Sequence, residues 1–149
     1  MLGFLSPPMK RNASAIWQGN LKGGKGTVSS DSLVLNKTPY SFTSRFAAGT
    51  GTNPEELIAA AHAGCFTMAL SAALEAAGFT ADTLSTAAEL SFENHPQTSW
   101  TITAIHLRTV GKVPGVSQER FSEIAAGAKA TCPVSRVLRA DITLDAKLG

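Results

Sequence analysis

One stretch, residues 51–78, constrains the fold of this chain more than any other: GTNPEELIAAAHAGCFTMALSAALEAAG. It opens with a complete helix-start signal. Asn53 is a good N-cap, Pro54 falls at N1, where a missing N–H costs nothing, and Glu56 falls at N3, placed to reach back in a capping box. Gly78 closes the stretch as a residue suited to the C′ position. Between them Ala, Leu, Met and Glu dominate, all strong helix formers. Leu57, Ala61, Cys65, Met68, Ala69 and Ala72 recur at spacings of three and four and so share a face. The other faces are nearly as apolar, for after the first turn only His62, Thr67, Ser71 and Glu75 are polar. Such a helix is expected at the centre of a fold, buried all round, with a cysteine near its middle.

The flanking segments read as strands and shorter helices. Residues 12–46 have the look of a β meander: a strand through Ser14, Ala15, Ile16 and Trp17, a Gly-rich turn at residues 21–26, strands at 27–30 and 33–35, a turn at 36–39 and a strand over 40–46. Residues 83–92 alternate Leu84, Thr86, Ala88, Leu90 and Phe92 on one side, and residues 100–110 are rich in β-branched residues. Ser117 caps a second helix over 118–130, Cys132-Pro133 starts a short one reaching Arg139, and residues 141–148 form a last strand. Runs of strands and helices, rather than strict alternation, predict an α+β fold with antiparallel sheets around long central helices. Residues 1–12 are an expected tail and 13–149 a single domain. The long helix is apolar on too many sides for one small sheet to cover, so an intertwined homodimer that pairs it with its copy is predicted.

Composition narrows the function. With 149 residues and a formal net charge of +2, the chain fits one domain, and its scattered basic residues argue against nucleic acid. Residues 1–8 lack the basic and apolar regions of a signal peptide. The long apolar run is alanine-rich and broken by His62 and Glu75, which favours a soluble core over a membrane span. Two cysteines and no export signal make the reducing cytoplasm the expected compartment. The Gly-rich turn lacks phosphate-loop spacing. His62 and Cys65 form a single local H-x-x-C pair, whereas zinc sites usually draw two such pairs, so no metal and no cofactor is expected. His62 is expected to pack beside the site or to make a structural hydrogen bond.

The cysteines carry the chemistry. Both fit a bland role as small buried fillers. Cys132, however, stands at a helix start, where unpaired N–H groups stabilise a thiolate. One cysteine in an apolar helix and one at a helix terminus suggest a nucleophile and its resolving partner. Glu55 reads on its own as an acid at a helix N-terminus. It precedes Cys65 by ten residues, roughly 15 Å along an unbroken helix. It therefore reaches a cysteine only across an antiparallel partner helix, or within its own chain if the helix breaks.

These residues resemble the osmotically inducible protein C and organic hydroperoxide resistance (OsmC/Ohr) family, more closely its OsmC branch. The resemblance is carried by GTNPEEL at 51–57, AHAGCF at 61–66, ATCPVS at 130–135 and ITLDAKL at 142–148. It implies a homodimeric thiol peroxidase of the peroxiredoxin type that reduces organic hydroperoxides. By the same resemblance Cys65 is the peroxidatic cysteine, Cys132 the resolving one, and Glu55 holds an arginine beside the sulfur. That arginine matches Arg45, although the early strand, where the hydroperoxide-resistance branch carries it, offers Lys22 and Lys25. An external dithiol, as on a lipoyl carrier protein, would reset the disulfide. Phe42, Phe46, Phe66 and Met68 are candidate linings for an alkyl chain. The competing reading is a non-enzymatic dimeric stress protein or small-ligand binder whose cysteines merely pack.

Overall fold

A computed structural model describes residues 6–149, so the first five residues of the expected tail lie outside the described residues. The chain divides into two compact units, Met1–Pro54 and Glu55–Gly149.

The first unit is an antiparallel sheet in the order β1 (Ala13–Gln18), β2 (Lys25–Ser30), β3 (Thr38–Tyr40), followed by a short helix α1 (Phe42–Phe46). Gly26 faces both Trp17 and Tyr40 in the register. A Cβ there would run into both rings, so glycine lets them close to 5.4 Å between centroids. Two expected strands are absent. Residues 33–35 turn instead, with Leu33 at φ +61° and the Ser30 N–H donating to the Leu35 carbonyl at 2.8 Å. Residues 42–46 are helical because Ser41 and Ser44 form a reciprocal capping box, each hydroxyl accepting from the other's N–H at 3.1 and 2.8 Å. A serine at N3 replaces the usual Glu or Gln, which hides the signal.

The second unit opens with α2 (Pro54–Ala76) and continues through β4 (Thr83–His95), β5 (Ser99–Lys112), α3 (Gln118–Thr131), α4 (Pro133–Val137) and β6 (Asp141–Leu148). The α+β class holds, but the sheet, ordered β4-β5-β6, is not antiparallel throughout. β4 and β5 form an antiparallel hairpin, whereas β6 runs parallel to β5 with Ile105 opposite Ile142. A parallel neighbour requires a long crossover, and α3 with α4 supplies it. The core joins Phe66, Leu70 and Leu74 of α2, Ile105 and Leu107 of β5, Phe121, Ile124, Ala125 and Ala128 of α3, and Cys132. A chain of hydroxyls, Thr67 to Thr86 at 2.8 Å, Thr86 to Thr109 at 3.0 Å and Thr109 to the Ser85 carbonyl at 3.2 Å, ties α2 to the sheet.

α2 is long and continuous as expected, and it ends in a Schellman motif: the Phe79 N–H reaches the Leu74 carbonyl at 2.9 Å and the Gly78 N–H the Glu75 carbonyl at 3.0 Å. Gly78 holds φ +89° there. The helix is not buried all round. Its inward face is Glu55, His62, Phe66, Leu70 and Leu74, while the expected core face is turned partly outward. Ala61, Gly64 and Ala72 are exposed, and Met68 is 77% exposed. Phe66 and the two leucines offer the most area to bury, so they select the face; alanine leaves the periodicity almost flat. Phe66→Ala is therefore expected to cost about 3–5 kcal/mol in urea unfolding. A loss below about 1 kcal/mol would contradict its place at the centre of this unit.

Candidate active site

Cys132 is the hinge between two helices. Its N–H donates to the Ala128 carbonyl at 2.9 Å, closing α3, and its carbonyl accepts from the Arg136 N–H at 3.1 Å, opening α4. Pro133 occupies the first helical position, so the next donors in line are the N–H groups of Val134 and Ser135. They favour ionisation of the sulfurs, the Val134 N–H that of both Cys65 and Cys132 and the Ser135 N–H that of Cys132. The two cysteines, distant in sequence, are brought close enough to act on each other's ionisation, and both are unbridged. Cys65 is partly exposed on α2, whereas Cys132 is fully buried.

The sulfurs titrate in opposite directions. Burial pushes the Cys65 thiol up, and the neighbouring Cys132 adds to this, against weaker pulls from the Val134 N–H and the Arg136 guanidinium. Burial also opposes ionisation of Cys132. There it is outweighed by the Ser135 N–H, the Cys65 thiol, the Ser135 hydroxyl and the Val134 N–H, and the thiol falls below its ordinary value. Two adjacent sulfurs share one proton more readily than they carry two negative charges. Ionisation is therefore easier at Cys132 than at Cys65.

Behind the pair lies His62, fully buried, with Nε2 2.7 Å from the Ser135 hydroxyl. Burial lowers its pKa, so the ring is neutral. The structural hydrogen bond expected of His62 is present. Ser135 and Arg136 are the site residues that sequence reasoning missed. Their positions three and four after Cys132, on the turn that Pro133 starts, are the signal that could have found them.

The other expected site residues are described each within its own unit. Glu55 is buried in the first turn of α2. α2 is unbroken over Pro54–Ala76, so the ten-residue spacing puts Glu55 roughly 15 Å from Cys65 along its own helix axis. Arg45 lies in the last turn of α1, with its guanidinium 5.2 Å from the Phe46 ring centroid. Within the first unit it lines a cavity of about 260 Å³ with Trp17, Leu21, Tyr40, Phe42 and Phe46. Of the residues expected to line an alkyl site, Phe42 and Phe46 therefore do face a cavity. Phe66 does not, being wholly committed to the core, and Met68 faces outward. Lys22 belongs to the β1–β2 turn and Lys25 opens β2. Among the described residues no group of three His, Cys, Asp or Glu side chains is placed to hold a metal ion.

Thiolate absorbance followed against pH tests this electrostatic order. Two separate one-equivalent steps are expected, one below and one above the ordinary cysteine value. The lower step should vanish in Cys132→Ala. A single two-equivalent step at the ordinary value would contradict the shared proton.

Comparison with known proteins bears on family and fold. Residues 47–147 match the family of OsmC-like proteins. Peroxiredoxin OsmC of Escherichia coli strain K12 is 50% identical over 138 residues, which cover 93% of this chain and 96% of the relative. Among solved structures, the organic hydroperoxide resistance protein OhrB of Bacillus subtilis superposes with a TM-score of 0.72 at 26% identity, covering 91% of this chain and 98% of that one. An OsmC-like protein of unknown function from Vibrio cholerae gives a TM-score of 0.74 at 13% identity, covering 93% and 99%, a likeness of fold alone. Family match, near-full-length identity and shared fold together leave one conclusion: the chain belongs to the OsmC-like protein family.

Proposed function

We propose that this protein is a thiol-dependent peroxidase that reduces organic, alkyl or lipid, hydroperoxides to alcohols in defence against oxidative and osmotic stress. The observation that carries the reading is the approach of Cys65 and Cys132, distant in sequence, close enough to act on each other's ionisation. A binding protein with merely packed cysteines has no need of that approach. The name of the E. coli relative, a peroxiredoxin, supports the same chemistry.

Cys65 is the attacking sulfur because it alone of the two is accessible. It first loses its proton to solvent. The Cys65 thiolate then attacks the O–O bond, forming Cys65 sulfenic acid and an alkoxide that takes a proton from solvent to leave as alcohol. Cys132 next attacks the Cys65 sulfur. The S–S bond forms, the S–O bond breaks, and the departing hydroxide takes the Cys132 proton to become water. An external dithiol, such as a lipoyl group on a carrier protein, restores both thiols by exchange. The cycle belongs to a reducing cytoplasm, where such pairs are kept open.

The working unit is a homodimer. Ala61, Gly64, Met68 and Ala72 leave an exposed apolar stripe on α2, and small residues allow a second copy of the helix to approach closely. In an antiparallel pair, Glu55 of one copy lies level with the middle of its partner. There Glu55 would hold Arg45 as the cation that favours a thiolate on Cys65 and donates to the peroxide oxygens.

Cys65→Ser is expected to abolish turnover of cumene hydroperoxide. Cys132→Ser should consume about one equivalent and then stop, failing to recycle with dithiols; full activity in Cys65→Ser would end the assignment. Sedimentation should give a dimer for the parent and a monomer for Met68→Glu, since a charge in that seam is left unpaired. An unchanged dimer in Met68→Glu would place the contact elsewhere.

A further inference from the structure

α4 turns one face to solvent, and that face carries positive charge. Val134 and Leu138 pack against the core, and the Ser135 hydroxyl lies 2.7 Å from Nε2 of the buried His62. Pro133, Arg136 and Val137, at spacings of three and four, are left on the outside, with Val137 75% exposed. Arg139 follows them and is also exposed. The turn is firmly held: the Arg136 N–H donates to the Cys132 carbonyl at 3.1 Å and the Leu138 N–H to the Val134 carbonyl at 3.3 Å. Among the described residues neither arginine is paired with a carboxylate, for the exposed ion pairs of this unit use His106, Arg108 and Arg120. His62 stands three residues before Cys65, so its contact with Ser135 sets α4 against the turn of α2 that leads to the accessible sulfur. None of these outward residues belongs to the α2 stripe assigned to the second copy. One exposed valine needs no explanation. A rigid turn that carries an exposed valine between two unpaired guanidinium groups, beside a redox cysteine pair, has the make-up of a contact surface.

We propose that this outward face of α4, through Arg136, Val137 and Arg139, is the docking surface for the protein that resets the disulfide, and that this partner carries its dithiol on an acidic surface. The inference rests on the peroxidase reading, whose cycle leaves Cys65 and Cys132 bridged. Cys65 is the sulfur open to solvent. A thiolate of the partner attacks it, a mixed disulfide forms, the Cys65–Cys132 bond breaks and Cys132 leaves as thiolate. The partner's second thiolate then attacks its own sulfur in the mixed disulfide, closing a cyclic disulfide and releasing Cys65 as thiolate. Two electrons pass to the protein, and both of its thiolates take protons from solvent. The start of α4 favours ionisation of Cys132, which makes it the better leaving group. Unlike attack on a small, neutral hydroperoxide, this exchange requires two macromolecules to meet. Arg136 and Arg139 would draw in an anionic carrier, and Val137 would supply apolar contact on arrival. Loss of the surface should therefore slow resetting by an acidic carrier and leave the peroxide step alone.

The test begins with reduced protein and one equivalent of cumene hydroperoxide. A parent that forms no disulfide overturns the peroxidase reading itself. The bridged protein is then reduced, at low salt and in separate runs, by dithiothreitol and by two synthetic peptides bearing a dihydrolipoyl-lysine, one flanked by glutamates and one by lysines. Each peptide's rate is divided by its rate with a neutral small disulfide, 2,2′-dithiodipyridine, which removes the effect of the flanking charges on the thiols themselves. The glutamate peptide is expected to reduce the parent about tenfold faster than the lysine peptide, as electrostatic steering allows, and high salt should close the gap. Arg139→Glu and Val137→Glu should each close or reverse the gap, with peroxide consumption and reduction by dithiothreitol at parent rates. Arg139→Lys, which keeps the charge, should keep most of it. Equal rates for the two peptides with the parent, an unchanged gap in Arg139→Glu, or an equal loss with dithiothreitol would overturn the inference while leaving the peroxidase reading in place.

Discussion

The approach of two sulfurs to each other is the interaction on which the site depends. It exists because three independent features of the chain converge. α2 carries Cys65 at its middle without a break, so the sulfur is held by a rigid element. α3 ends on Cys132, and Pro133 starts the next helix at once, leaving the N–H groups of Val134 and Ser135 with no intrahelical acceptor. The core of Phe66, Leu70, Phe121 and Ala128 packs these elements together. Remove any of these and the sulfurs separate or lose their donors. Burial opposes ionisation of both sulfurs, and the start of α4 offsets it more at Cys132 than at Cys65.

This arrangement divides labour in a way that composition alone does not suggest. The sulfur whose pKa is lowered is the inaccessible one, and the accessible sulfur is the one whose pKa is raised. Inside its own unit Cys65 has only the Arg136 guanidinium as a favourable charge, and that is the weakest of the influences on it. A second cation beside Cys65 would favour its thiolate and ready the attacking sulfur, the part proposed above for Arg45. The exposed small-residue stripe on α2 and the ten-residue separation of Glu55 from Cys65 both point the same way. A helix apolar on both faces, with only one face covered, needs a second surface to lie against.

Most of the second unit was legible in the sequence, for identifiable reasons. Asn53-Pro54 and Gly78 mark the ends of α2, Ser117 caps α3, and Cys132-Pro133 breaks it from α4, each by a local rule that does not depend on the tertiary fold. The inward face of α2 was not legible. With alanine at so many positions the contrast between faces is small, and the packing of three large side chains decides it. The direction of β6 was also hidden, because parallel and antiparallel strands share one alternation and differ only in the connection. In the first unit, the serine capping box of α1 and the left-handed Leu33 have no common sequence signature. At the site, the cysteine pair could be named from its motifs. Ser135 and His62 could not be joined, since nothing in the sequence tells that a buried ring on α2 meets a hydroxyl on α4.

The central claim is that the two sulfurs act on each other within one chain. Its most direct measurement is peptide mapping of the reduced protein after one equivalent of an organic hydroperoxide, under non-reducing conditions and with the remaining thiols alkylated. The account predicts loss of both thiols and one cross-linked peptide joining Cys65 to Cys132 of the same chain. Two alkylated thiols, or a cross-link only between chains, would contradict it.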